Sequence, residues 1–199
     1  MINGFKSKNF IINIEMFIDI KEVQGAFIIN PKRYQDKRGY FQEHFNSLTY
    51  KDKIQCCEQI SFSKSHKNVV RGLHCAQYGK LVQCVQGSII DYMVDLREES
   101  PTYLKWAAVK LSENDARQVY IPPRCGHGVF SKEDNSLLVY CQEGTFNAIK
   151  EMNVNPFDPL INIVWPSLLP GEDYIISDQD KNAPNVNEAR TLWNEKNKK

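Results

Sequence analysis

Leu81-Val82-Gln83-Cys84-Val85-Gln86-Gly87-Ser88-Ile89-Ile90-Asp91-Tyr92-Met93-Val94-Asp95-Leu96 reads as two strands separated by a turn. Strand-forming residues dominate both halves, and Gln86-Gly87 supplies the break. Shorter runs repeat the pattern downstream: Ala107-Ala108-Val109-Lys110-Leu111, Gln118-Val119-Tyr120-Ile121 closed by Pro122-Pro123, and Ser136-Leu137-Leu138-Val139-Tyr140-Cys141. Upstream, Met16-Phe17-Ile18-Asp19-Ile20 reads as a first strand. Turn formers separate these runs at the spacing of a β-sandwich or barrel. A helical period is absent until 187–193, a short surface helix or a fraying end. The expectation is an all-β antiparallel barrel or jelly roll with a mouth for a ligand. Residues 1–15 read as an extension, 16–184 as the domain and 185–199 as a charged tail.

The bulk composition narrows the partners. The chain has 199 residues, 42% hydrophobic and 25% charged, as expected of one ordinary globular domain. A net charge of +1 gives no argument for nucleic acid or an anionic membrane. No apolar run approaches the roughly 20 residues of a membrane helix. The first residues lack the small-residue cleavage site of a signal peptide, so a cytoplasmic protein is expected. Cys56, Cys57, Cys75, Cys84, Cys125 and Cys141 form no CxxC pattern. Reduced thiols are therefore expected rather than a disulfide framework.

A few side chains stand out as chemistry. His74 follows Arg71-Gly72, and a fixed cation nearby favours the neutral imidazole that a general base requires; taken alone, it reads more readily as a structural histidine. His127 lies in a turn rich in Pro and Gly, Ile121 to Gly128, suited to aiming a side chain into a barrel mouth. Two histidines on strands also suggest a metal, but there is no His-x-His and Cys75-Ala76 follows His74, so no metal is expected. Lys80, Arg71, Arg38 and Arg124 suit phosphate or serve as solvated charge. Tyr140 is a proton donor or packing. Asp180, in Ser177-Asp178-Gln179-Asp180, orients a distant histidine or belongs to a helix cap.

In order and spacing these pieces resemble the dTDP-4-dehydrorhamnose 3,5-epimerase family. The resemblance runs from about Met16 to Pro184. It is carried by Asp36-Lys37-Arg38-Gly39-Tyr40-Phe41, Gln59 with Ser63, Arg71-Gly72-Leu73-His74, Lys80-Leu81-Val82, Val94-Asp95-Leu96-Arg97 and Ser100-Pro101-Thr102. Ile121-Pro122, His127-Gly128, Tyr140, Trp165-Pro166 and Ser177-Asp178-Gln179-Asp180 complete it. It implies a cupin-type jelly roll, a homodimer, and no metal or organic cofactor. It implies epimerisation of a nucleoside-diphosphate 4-keto-6-deoxy sugar at C3 and C5, or at C3 only, through an enolate. His74 then matches the base, Asp180 its orienting carboxylate and Tyr140 the acid. Lys80 and His127 match residues near the developing oxyanion, and Arg71 a diphosphate contact. Arg38, Phe41 and Glu43 match a segment reaching the nucleotide, across the dimer in one reading. Gln59 matches a polar residue lining the site.

Four departures from the family bear on the substrate. The stretch Cys75-Ala76-Gln77-Tyr78-Gly79 after the histidine is short. Thr145 and Phe146 stand where a Tyr-Tyr pair is usual, Arg124 precedes Cys125-Gly126-His127, and Ser61 replaces an Asn. The alternatives are the same chemistry on a GDP-linked 4-keto heptose for capsule synthesis, and a sugar-nucleotide 3,4-ketoisomerase. Outside that chemistry stand a non-catalytic sugar-binding cupin and a metal-dependent cupin.

Overall fold

Gly87 makes the first decisive turn, but its two strands do not pair. Its φ is +73°, and a Cβ there would approach the Ser136 backbone to 3.0 Å, so glycine carries the chain from one sheet to another. The computed structural model describes residues 15–148 and 151–197. Of the expected N-terminal extension only Glu15 falls among them; the rest lies outside the described residues.

In chain order the strands are β1 (Phe17–Asp19), β2 (Phe27–Ile29), β3 (Arg33–Asp36), β4 (Gly39–Gln42), β5 (Gln59–Ser65), β6 (Val70–Cys75), β7 (Lys80–Gln86), β8 (Ser88–Asp95), β9 (Trp106–Ser112), β10 (Gln118–Ile121), β11 (Cys125–Ser131), β12 (Ser136–Gln142) and β13 (Met152–Asn153). The helices are α1 (Ser47–Tyr50), α2 (Asp178–Lys181) and α3 (Val186–Asn197). One sheet has the order β1-β2-β10-β7-β12-β5 and the other β13-β6-β11-β8-β9. From β5 to β8 and again from β9 to β13 the chain alternates between the sheets. This is the jelly roll expected from the sequence, with helices at its edge. β3 and β4 form a separate hairpin.

The main core lies between the sheets. Val82, Cys84, Ile89, Met93, Leu111, Val119, Ile121 and Leu138 meet there, each at most 1% exposed. Full burial of such a side chain stabilises by about 1.5–3 kcal/mol. The outer face of the six-stranded sheet is also covered: Leu81, Tyr120 and Cys141 pack with Phe27, Tyr50 and Ile54. Burial on both faces explains why β7 reads as a near-continuous apolar run rather than an alternation. Behind the five-stranded sheet, Leu73, Val94 and Leu96 pack with Val186 and Ala189 of α3. None of the helices among the described residues is long and apolar enough to cross a membrane.

The thiol expectation fails at one pair. Cys57 and Cys141 form a disulfide, their Cα atoms 5.5 Å apart. The antiparallel pairing of β5 with β12 brings together two cysteines separated by 84 residues, a proximity that spacing alone does not reveal. Cys56, Cys75, Cys84 and Cys125 are free.

Candidate active site

Residues directly opposite in an antiparallel ladder send their side chains to the same face. His74 on β6 stands opposite His127 on β11. On the facing sheet, Lys80 of β7 is opposite Gln142 of β12, Tyr140 is opposite Ser61 of β5, and Gln142 is opposite Gln59. These two sets converge, with Phe146 and Glu151, on a cavity of about 340 Å³ between the sheets.

His74 Nε2 lies 2.8 Å from Asp180 Oδ1. A carboxylate only accepts, so Nε2 carries the proton and Nδ1 keeps its lone pair. Asp180 is fixed from three sides. Its Oδ2 accepts from Gly72 N at 3.1 Å, and its own backbone N donates to Ser177 Oγ, the cap of α2. Burial opposes the Asp180 charge, but the bonds from His74, Gly72 and Ser177 outweigh it and hold the carboxyl below its ordinary range. Glycine is required at Gly72: φ is +105°, and a Cβ would collide with the His127 carbonyl oxygen.

His127 Nε2 lies 2.8 Å from Asp91 Oδ2, and its ring meets Tyr140 edge-on at 5.8 Å. Burial pushes the Tyr140 phenol well above its ordinary value, and Asp91 adds in the same direction. Tyr140 therefore stays protonated through the neutral range, as a proton donor must. Lys80 is 9% exposed, and burial lowers its affinity for the proton, opposed by Glu151, Cys75 and Asp91.

A chain of hydrogen bonds runs along the other rim. Phe146 N donates to Gln59 Oε1, and Gln59 Nε2 donates to Ser61 Oγ at 2.8 Å. Ser61 Oγ donates to Gln142 Oε1, Gln142 Nε2 to the Tyr78 hydroxyl, and that hydroxyl to Glu151 Oε1 at 3.0 Å.

Other expected site residues sit apart. Arg71 lines a neighbouring cleft of about 300 Å³ with Asp180 and Lys64, and its guanidinium donates to Ser65 Oγ and the Lys64 carbonyl. Arg38 is exposed and paired with Asp36, and Phe41 is 65% exposed on the same hairpin. Glu43 accepts from Asn46 at 2.9 Å. Arg124 is bonded to Glu99 on the surface. Sequence reasoning missed Asp91, Gln142, Tyr78 and Glu151. Asp91 carries a signal: a carboxylate inside Ile89-Ile90-Asp91-Tyr92-Met93-Val94 needs a buried partner. Among the described residues no group of three or more His, Cys, Asp or Glu is arranged to hold a metal ion.

Comparison with known proteins agrees with this architecture. Residues 21–188 match the family model for dTDP-4-dehydrorhamnose 3,5-epimerase. The Shigella flexneri dTDP-4-dehydrorhamnose 3,5-epimerase is 37% identical over 81% of this chain and 91% of its own length. A Streptomyces niveus dTDP-4-dehydrorhamnose 3-epimerase is 33% identical over 84% of this chain and 83% of its own. The crystal structure of a Legionella pneumophila dTDP-6-deoxy-D-glucose-3,5-epimerase in complex with dTDP-4-keto-L-rhamnose superposes with a TM-score of 0.80. It is 33% identical, covering 86% of this chain and 92% of that one. Fold, cavity and sequence match together place this chain in the dTDP-4-dehydrorhamnose 3,5-epimerase family.

Proposed function

We propose that this protein epimerises a dTDP-linked 4-keto-6-deoxy sugar at C3 and C5, or at C3 alone. The 4-keto group acidifies both neighbouring C–H bonds. His74 Nδ1 takes a proton from one of them, and the C–H electron pair moves into the ring as the ketone becomes an enolate. The Lys80 ammonium stands beside the developing oxyanion, where fixed positive charge is most effective, and the His127 ring, held by Asp91, lines the same cavity. The Tyr140 hydroxyl returns a proton to the opposite face of that carbon, and the enolate collapses to the inverted ketone. The His74 imidazolium and the Tyr140 phenolate then reset by proton exchange with water.

The observation that carries this reading is the division of the cavity between two walls. His74, held by Asp180 of α2, lies on one sheet, and Tyr140 with Lys80 lies on the facing sheet. Inversion needs a base and an acid on opposite faces. Arg71 and Lys64, in the adjoining cleft, serve as the diphosphate contact. The exposed hairpin bearing Arg38 and Phe41, followed by Glu43, reaches the nucleotide of a second copy in a homodimer. A cytoplasmic location belongs to the same reading. Incubation in D2O with dTDP-4-keto-6-deoxyglucose and, in parallel, a GDP-linked 4-keto heptose tests it. Deuterium at C3, with or without C5, is expected on the dTDP sugar. Exchange only on the heptose would move the substrate class, and exchange on neither would overturn the epimerase reading.

A further inference from the structure

Lys80 is a buried cation without a direct ion pair among the described residues, and it faces the cavity. An ammonium taken out of water reverts to the neutral amine unless nearby charge supports it. The groups around Lys80 come from every neighbouring element. Its own sheet contributes the Tyr140 phenol and the Gln142 amide on β12; the facing sheet contributes His74 on β6, His127 on β11 and Asp91 on β8, with the Cys75 thiol on the far side of β6. The Tyr78 ring lies 5.8 Å from the ammonium.

Among the described residues, Glu151 and, more weakly, Asp91 are the carboxylates whose charge supports it. Asp91 is engaged by His127 at 2.8 Å. The Cys75 thiol is pushed up to about 12 by burial and carries no charge near neutrality. That leaves Glu151. The pairing of Met152 with Cys75 brings Glu151 to the cavity wall. There Gln142 orients the Tyr78 hydroxyl, and the Tyr78 hydroxyl orients the carboxylate through Oε1. The charge and held position of this carboxylate suit it to support a cation in the same cavity wall.

We propose that Glu151, held by Tyr78, is the counter-charge that keeps Lys80 an ammonium in the cavity wall, and so is a positioning residue for the oxyanion site. This rests on the epimerase reading for its purpose, but not for its test. Lys80 loses its charge more readily when Glu151 is neutral, so the alkaline limb of kcat/KM moves to lower pH in Glu151→Gln. Glutamine keeps an oxygen for the Tyr78 hydroxyl, so the fold is retained. A purely structural residue would lower activity at all pH values without moving that limb.

The direct readout needs no sugar. Wild type, Glu151→Gln and Glu151→Asp are treated with acetic anhydride at pH 8, and acetylation of Lys80 is followed by mass spectrometry. Only the neutral amine reacts, so a downward displacement of one pH unit makes Lys80 about tenfold more reactive. The expected result is a rate about tenfold higher in Glu151→Gln, matched by the shifted limb, and a near wild-type rate in Glu151→Asp. Tyr78→Phe keeps the charge but frees it, and should give a smaller increase. Unchanged Lys80 reactivity in Glu151→Gln would overturn the proposal. Raised reactivity in a protein that epimerises no 4-keto sugar would uphold the role of Glu151 and instead refute the epimerase reading.

Discussion

The two histidines of the cavity stand opposite each other on neighbouring strands, and each holds a carboxylate at 2.8 Å. There the likeness ends. The His74 side chain is 36% exposed and Asp180 6%, whereas His127 is 6% exposed and Asp91 fully buried. Asp180 has both oxygens engaged; Asp91 has a buried Oδ1 without a hydrogen-bond partner among the described residues. The open pair can meet a substrate and exchange its proton with water. The closed pair is a fixed dipole inside the sheet, next to Tyr140. The same residue types at the same separation thus take different tasks according to what surrounds them, and that difference can be broken experimentally.

Stability separates the pairs most. Asp91→Ala strands the His127 N–H in a buried site and should cost about 3 kcal/mol in chemical denaturation. Asp180→Ala should cost less, because water can reach His74. Catalysis separates them in the other direction. Asp180→Asn removes the charge that orients His74 and supports its imidazolium, and kcat should fall on the order of 10²-fold with KM little changed. The Asp180 carboxyl is held below its ordinary 3.8, so its stabilisation is complete above that value and lost as pH falls below it. Asp180→Asn should lack that part of the acid limb in denaturation scans. The smallest effect concerns the cap. Ser177→Ala leaves the Asp180 backbone N–H unpaired and should cost about 1 kcal/mol, with a several-fold drop in kcat as the carboxylate loosens. Equal losses in kcat for Asp180→Asn and a folded Asp91→Asn would erase the distinction.

How much of this is legible in the chain differs by strand. β7, β8, β9, β10 and β12 announce themselves because their apolar residues fill the core or its outer cover. β5 does not: its inward residues Gln59 and Ser61 are polar because they line the cavity, while Ile60 and Phe62 face out. Its pattern is that of a strand turned inside out. β6 and β11 are masked by glycines, and Gly72 is there for backbone approach rather than for strand propensity. His74, Lys80, His127 and Tyr140 share one cavity, although they lie far apart along the chain. Glu151 gave no signal, since its meaning comes from β13 pairing with β6. Nor did the Cys57–Cys141 bond, which joins distant segments. Arg38, Phe41 and Glu43 lie outside the cavity of a single copy.

The central claim is that His74, not His127, removes the proton. The decisive measurement is solvent exchange into dTDP-4-keto-6-deoxyglucose in D2O, compared among wild type, His74→Asn and His127→Asn after circular dichroism has shown each to be folded. Wild type should incorporate deuterium at C3. His74→Asn should lose on the order of 10²–10⁴-fold in exchange rate, and His127→Asn should keep readily measurable exchange. Exchange that survives in His74→Asn and vanishes in His127→Asn would contradict the account.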